Sequence, residues 1–172
     1  MNPGGCRTSR VLAMVLVSLA VVLAGCQRAK EKRAERMMED SIEKATGKKA
    51  SVGLSKDKVT IAGEGTKTEI DSAAAAWPAG IPNEVPRFNQ GRIQRTTRSE
   101  GPGFVTWGVH FAGVAVDALE VYNESLAGAG FNPRLAKMGN SGQLVAQKGQ
   151  LRITFLAGKG DAHLSVHQRD RQ

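Results

Sequence analysis

Apolar and polar residues follow two different periods along the chain, and the change of period predicts where helix gives way to strand. Over residues 27–45 apolar positions recur every three to four residues without Gly or Pro, which predicts a helix with Met38 and Ile42 on one face. Over 51–61 and 66–70 the residues alternate instead, which predicts a β-hairpin or meander. Because a two-stranded hairpin is marginally stable alone, we expect it to pack on the helix or on the following domain.

Three prolines at a spacing of four mark residues 72–90 as an Ala- and Pro-rich connector. Proline fixes its own φ and keeps the preceding residue extended, so this segment is predicted to be stiff. The apolar residues Trp77, Ile81 and Val85 each stand directly before one of these prolines. We expect the three side chains to lie in a groove of the C-terminal domain rather than in water.

The stretch 91–172 is the one able to form a sizeable core, since six of the eight aromatic residues fall between residues 104 and 155. Alternation predicts two strands at its start, a helical period then predicts one helix, and four short strands follow. The predicted elements are strands 91–97 and 105–111, helix 114–127, and strands 131–138, 143–148, 150–157 and 162–168. Short turns between these strands predict antiparallel pairing.

The predicted fold class is α+β: a small antiparallel sheet with one helix packed on one face, preceded by an N-terminal charged helix and a β-hairpin. Five residues are expected to form the buried side of the helix on the sheet: Val114, Ala118, Val121, Tyr122 and Leu126. The predicted segments are 1–25 (signal peptide), 26–48 (charged membrane-proximal helix), 49–71 (β-hairpin), 72–90 (connector) and 91–172 (C-terminal α+β domain).

The first 26 residues have the three parts of a secretory signal peptide. Arg7 and Arg10 come without acidic residues, an apolar run over 11–23 is broken only by Ser18, and small residues follow. A membrane-spanning helix needs about 20 apolar residues, so this run is too short to be one. The pattern therefore predicts export.

The sequence Leu23-Ala24-Gly25-Cys26 at the end of this segment resembles the lipobox of bacterial lipoproteins. The resemblance implies that signal peptidase recognises the first three residues and cleaves before Cys26, which receives a diacylglycerol on sulfur and an acyl chain on its new amine. The implied partner is the lipid bilayer, because two or more acyl chains anchor a protein stably. Gln27, rather than Asp, favours the outer over the inner membrane in a Gram-negative cell. An ordinary secretory signal is the alternative.

Net charge adds a second possible contact with the membrane. The chain carries 24 Lys and Arg against 16 Asp and Glu, a formal charge of +8. Five bases crowd the start of the first predicted helix: Arg28, Lys30, Lys32, Arg33 and Arg36. Their position opposes the helix macrodipole but suits anionic headgroups, at about 1 kcal/mol per base near the surface. The alternative is a solvated spacer.

Basic residues are also expected on the sheet, on the face away from its helix. Arg92, Arg98 and Arg152 are predicted to lie there. Export and the small number of exposed aromatic residues argue against nucleic acid. An envelope protein or a wall polymer is the expected further partner, and ordinary solvation of these charges is the alternative.

No pattern for catalysis, metal binding or a cofactor emerges from the sequence. His163 and His167 alternate with apolar residues, which predicts a strand, where about 13 Å separates them, too far for one metal ion. The nucleophile elbow G-x-S-x-G and the phosphate-binding P-loop are both missing from the sequence. Glu120 and Glu124 are expected on the solvent side of their helix. We expect no cofactor and no enzyme, with a periplasmic hydrolase as the less favoured alternative.

The helix end at 42–47, the strand at 58–61, the proline connector and Leu126-Ala127-Gly128-Ala129-Gly130-Phe131 together resemble a group of small envelope lipoproteins. The resemblance implies a lipid-anchored protein of the cell envelope, facing the periplasm or the cell exterior, that acts as a non-catalytic binding or structural module. Residues 104–131 are also loosely similar to the peptidoglycan-binding sporulation-related repeat, whose second βαβ half has no counterpart here. That similarity implies glycan binding as the alternative function.

Overall fold

Two helices and nine strands follow one another in the computed structural model, which describes residues 28–170. The predicted signal peptide (1–25) and the lipobox residues Leu23–Cys26 lie outside the described residues. The helices are α1 (28–46) and α2 (Ala118–Gly128). The strands are β1 (Ser51–Leu54), β2 (Lys58–Gly63), β3 (Thr66–Asp71), β4 (Arg92–Gly101), β5 (Phe104–Val114), β6 (Asn132–Met138), β7 (Ser141–Lys148), β8 (Leu151–Gly158) and β9 (Gly160–Arg169).

All nine strands belong to one antiparallel sheet, in the order β1-β2-β3-β4-β5-β9-β8-β7-β6. The chain builds β1 to β5 as a meander, crosses through α2 to the far edge, and returns so that β9 pairs with β5. The prediction of an antiparallel sheet with helices is thus confirmed in outline. The sheet is larger than predicted, because β3 pairs with β4 and joins the predicted hairpin to the C-terminal strands.

The main core lies between the C-terminal strands and a layer made of α2 and the connector. Trp107, Val109 and Phe111 on β5 point into it, as do alternate residues of β9, β8 and β7. From the connector, Ile81 and Val85 are buried and Trp77 packs against the same cluster. The predicted position of these connector side chains is therefore confirmed.

Aromatic rings link the connector to the sheet and to the helix. Phe88 makes edge-to-face contacts with Phe111, Tyr122 and Phe155, with ring centroids 5.1, 5.4 and 4.6 Å away. Tyr122 also donates its hydroxyl to the carbonyl of Pro86 at 2.9 Å. Such contacts hold the proline segment in one place on the sheet.

The helix on the sheet begins later and is turned differently from the prediction. It starts at Ala118, because residues up to Val114 stay in β5, where Val114 pairs with Gly160. Leu119 is fully buried, whereas Val121 is 54% exposed, so the prediction that Val121 faces the core is wrong. Gly142 on β7 permits this packing, since a Cβ there would lie 2.6 Å from Cδ1 of Leu119.

Helix α1 is bonded to the free edge of the sheet. Glu39 accepts a hydrogen bond from the backbone N–H of Val52 at 2.8 Å, and Glu35 accepts one from Leu54 at 2.7 Å. One helical turn and two strand residues both advance by about 6 Å, so the i,i+4 carboxylates match alternate N–H groups of the edge strand. The helix thereby satisfies donors that β1 would otherwise present to another chain.

A bulge in β4 changes which of its arginines face which side. The register shifts between Ile93 and Arg95, so Arg95 stands opposite His110 and Arg98 stands opposite Trp107. Arg98 therefore lies on the same side of the sheet as the core, and its prediction for the other face is wrong. A bulge inserts one residue and reverses the inward–outward alternation of the residues after it. The prediction assumed unbroken alternation from Ile93 and therefore placed Arg98 on the wrong face.

Candidate functional site

The side of the C-terminal strands that faces away from α2, here termed the open face, carries one continuous row of side chains. Each of six residues is the register partner of the next across neighbouring strands: Arg95, His110, His163, Leu156, Gln143 and Ala136. The row passes from a cation through two imidazoles to Leu156, then to the amide of Gln143 and to Ala136. Antiparallel pairing alone sets this order, because direct partners always point to the same side of the sheet.

A groove of about 550 Å³ runs beside this row. Its main lining residues are His110, Ala136, Met138, Gln143, Leu156, Asp161 and His163. The next row along the strands supplies its floor, since Gly158 and Ser141 bring little or no side chain between Asp161 and Met138. Absent or small side chains in one row, next to large ones in the adjacent row, make the depression.

Two large apolar side chains are exposed in this groove. Met138 is 84% exposed and Leu156 is 44% exposed. Leu156 belongs to β8, whose other face is buried in the core, and Met138 belongs to β6, which packs against α2. Apolar side chains that converge on one concave site are typical of a ligand- or partner-binding surface.

The two histidines form a close pair at one end of the groove. The ring centroids of His110 and His163 are 4.2 Å apart, and Arg95 Nη2 lies 3.0 Å from Nε2 of His110. Gly108 makes room for this arrangement, because a Cβ there would lie 3.3 Å from Cε1 of His163 and would strike Thr97. The backbone of β5 thus allows both rings to lie half-buried on the sheet.

Burial keeps the histidine pair in its neutral form. It is the main cause that lowers the pKa of His110 below 6.5, with further contributions from His163 and Arg95. The pKa of His163 is also lowered from 6.5, again mainly by burial and then by Arg95. At neutral pH the pair is therefore uncharged, and the positive charge beside it is that of Arg95. The adjacent row contains Asp161 and Arg92, with Ala112 between them.

His167 belongs to a separate part of the open face. Its Nδ1 lies 2.9 Å from Oγ1 of Thr106, and its ring stacks on Phe104 at 5.9 Å. The predicted alternation that separates His163 from His167 along β9 is confirmed. Within residues 28–170, no group of three or more His, Cys, Asp or Glu side chains is arranged to hold a metal ion.

The predicted headgroup-contact residues are all exposed on α1: Arg28, Lys30, Lys32, Arg33 and Arg36. At 3.6 residues per turn, Lys30 and Arg33 lie roughly opposite the two glutamates that bind β1. The structure therefore leaves this part of the basic cluster free to face outwards. The lipidation residue Cys26, and with it Leu23, Ala24 and Gly25, falls outside the described residues.

The carboxylates of α2 do not form an acid–base pair. Glu120 and Asp117 accept hydrogen bonds from Nζ of Lys137 on β6, at 2.8 and 3.0 Å, and Glu124 is exposed. These contacts raise the pKa of Lys137 and tie the helix to the edge strand. The prediction that Glu120 lies on the solvent side is confirmed, with a structural ion pair as its partner.

The sequence did not reveal the histidine pair or the groove. Alternation placed each histidine on the polar side of its strand, but β5 and β9 are separated by α2 and three strands. Only the pairing of these distant strands brings His110 beside His163. The exposed Met138 could have been noticed as an apolar residue on the polar side of its strand.

Comparison with known proteins returned no family model, no curated protein and no solved structure that matches this chain. None of the helices in the described part of the chain is both long and apolar enough to cross a bilayer.

Proposed function

We propose that the protein is a lipid-anchored lipoprotein of the cell envelope and that its folded part is a non-catalytic binding module. The open-face groove is the binding site. The observation that carries this assignment is the convergence of the exposed side chains of Leu156 and Met138 on a concave surface that also holds the His110–His163 pair. A partner that buries these apolar groups gains the transfer free energy that folding leaves unused.

The anchor and the module are close together in the chain. Helix α1 is already formed at residue 28, two positions after Cys26, and Glu35 bonds it to β1. An acylated Cys26 would therefore hold the sheet within a short distance of the bilayer. The exposed bases of α1 would then reach anionic headgroups, and Gln27 favours the outer membrane in a Gram-negative cell.

The anchor is tested by the mass and the location of the expressed full chain. We expect the membrane-extracted protein to begin at Cys26 and to carry the mass of two or three acyl chains. The variant Cys26→Ser should leave the membrane fraction. A wild-type protein that retains Met1, or one that is cleaved but not acylated, would overturn the anchoring proposal.

The binding site is tested by crosslinking inside cells. A photo-reactive residue at Gln143, which lines the groove, should form adducts that the same residue at Val121 does not form, since Val121 is exposed on the opposite layer. The adducts also separate an envelope protein from wall glycan, the second partner class. Equal labelling from both positions, or none, would contradict a binding role for the groove.

The basic start of α1 is tested separately from the acyl chains. In the Cys26→Ser chain, replacement of Lys30 and Arg33 by Gln should weaken binding to anionic vesicles by about 1 kcal/mol per base at low salt. Neutral vesicles and replacement of Lys44 and Lys48, farther along α1 and past its end, serve as matched controls. Unchanged binding would leave the bases as a solvated surface.

A further inference from the structure

We propose that the open-face groove binds a single-chain amphiphile with an anionic head, whose carboxylate or phosphate lies beside Arg95 and the His110–His163 pair and whose apolar chain extends towards Leu156 and Met138. This assignment rests on the proposed function, because it names the ligand of the same groove. It commits to a detached lipid in the groove rather than to a lipid still in a bilayer.

The order of chemistry across the strands supports a head and a tail. At one end Arg95 supplies a positive charge and donates a hydrogen bond to Nε2 of His110, so His110 in its neutral form keeps its proton on Nδ1. Each neutral imidazole of the pair has one N–H group that an anion can accept. In the middle and at the far end the row offers Leu156 and Ala136, with the amide of Gln143 between them and Met138 in the adjacent row. A uniformly polar ligand would leave the apolar end of the groove without an apolar partner, and a uniformly apolar ligand would leave the charged end without a polar one.

The dimensions favour one chain. From β5 to β6 the groove crosses five neighbouring strands, which at about 4.8 Å per step is about 19 Å. Across its width its lining residues come from two adjacent rows, and rows on the same face are about 6.7 Å apart. An extended alkyl chain fits that width, whereas two chains side by side exceed it.

The other charges near the groove set the direction of the ligand. Asp161 lines the groove beside His163, so an anionic head is repelled from that position and is drawn to Arg95. Lys137 also lines it, but its Nζ is held on the other side of the sheet by Asp117 and Glu120. Arg92 is on the same face, in the row of Asp161 with Ala112 between the two, so Arg95 is the cation that lies beside the histidine pair.

The experiment is photo-labelling of the full chain reconstituted in phosphatidylcholine vesicles, without detergent. The probe is an alkyl carboxylate of about twelve carbons with a diazirine at the chain end, which fits the length of the groove. Matched probes carry a phosphate, an alcohol or a trimethylammonium head. A further arm places the diazirine on a two-chain anionic phospholipid. Peptide mass mapping locates the label.

We expect the carboxylate and phosphate probes to label the peptides that contain Leu156 or Met138. Arg95→Gln should weaken labelling about tenfold, since one charge-assisted contact is lost. Met138→Gln should weaken it as well, and Asp161→Asn should strengthen labelling by the anionic probes. The control variants Arg134→Gln, an exposed base on the same face, and Val121→Gln, an exposed apolar residue on α2, should leave it unchanged.

Equal labelling by the alcohol or the cationic probe would overturn the anionic head, and label outside the groove would overturn the site. Label from the two-chain phospholipid alone would overturn the detached ligand. Because Arg95 is exposed, its variant tests the proposal without a change in the core. If crosslinking in cells from Gln143 succeeds while every amphiphile fails, the ligand class is wrong and the binding module stands.

Discussion

The two halves of the sheet bury their apolar side chains on opposite faces. In β5 to β9 the apolar residues face α2 and the connector. In β1 to β3 they face the other way: Val52, Leu54, Val59, Ile61 and Ile70 lie on the side of the sheet that carries the open face, as their register with Thr97 and Gly108 shows. One continuous sheet thus changes its inner face at β4.

The halves also differ in what holds them together. The C-terminal half has a core in which many side chains are almost fully buried, whereas of β1 to β4 only Val52 is buried. On the other face of β2 to β4 lie ion pairs instead, such as Lys58–Asp71 at 3.3 Å and Arg98–Glu100 at 2.6 Å. Exposed pairs contribute roughly 0–1 kcal/mol each, so the N-terminal half depends on its attachment to the rest.

The largest effect should come from the centre of the C-terminal core. Phe155→Ala removes a fully buried ring that packs against Phe88 and Tyr122, and we expect a loss of about 3–5 kcal/mol in the free energy of unfolding. Ile61→Ala, in the half-buried N-terminal half, should cost about 1–2 kcal/mol. Urea denaturation measures both. Equal losses would contradict the difference between the halves.

The junction of the halves is tested by Gly108→Ala. The new Cβ meets Thr97 on β4 and His163 on β9, so we expect a loss of about 1–3 kcal/mol in stability. Thr97→Ala removes the closer obstacle, and the double variant should recover most of the loss. If it recovers none, the strain lies on the His163 side, and the rings of the histidine pair should move apart in NMR spectra.

The bonds between α1 and β1 should affect one edge only. Replacement of Glu35 and Glu39 by Ala leaves the N–H groups of Val52 and Leu54 without their acceptors. We expect the free energy of local opening at this edge to fall by about 1–3 kcal/mol. Hydrogen exchange at these two amides should become faster, while exchange in β8 stays unchanged. Glu43→Ala, an exposed glutamate of the same helix, is the matched control. Faster exchange throughout the sheet would show that the halves unfold together.

The smallest effect should be a pH dependence from the histidine pair. Because burial lowers both pKa values from 6.5, the unfolded chain binds protons first as the pH falls. Stability should therefore decrease as the pH drops through 6.5 towards the lowered values in the folded protein, and should level off below them. The double variant His110→Asn, His163→Asn should lose this part of the slope. The free energy of unfolding of this variant at pH 8, where both histidines of the wild-type protein are neutral, gives the effect of the substitutions on packing alone.

Local patterns predicted the elements well, and distant pairing explains what they missed. The strands from 131 onwards, the connector contacts and α1 followed from alternation, from proline spacing and from helical period. The bulge at Gln94, the pairing of β3 with β4 and the His110–His163 contact depend on how separate segments meet. The prediction that Val121 is buried was wrong for a related reason, since packing on the sheet determines which side of α2 is buried.

The carboxylates that α1 places on β1 also limit how copies of the chain can assemble. With the N–H groups of Val52 and Leu54 already bonded, the sheet formed by residues 28–170 has β6 as its remaining edge, where Pro133 offers no N–H. A chain with one available edge can pair with a second copy around a twofold axis, and the pair then has no edge left. Growth through the edges of this sheet would therefore stop at a dimer and would not continue into a fibre.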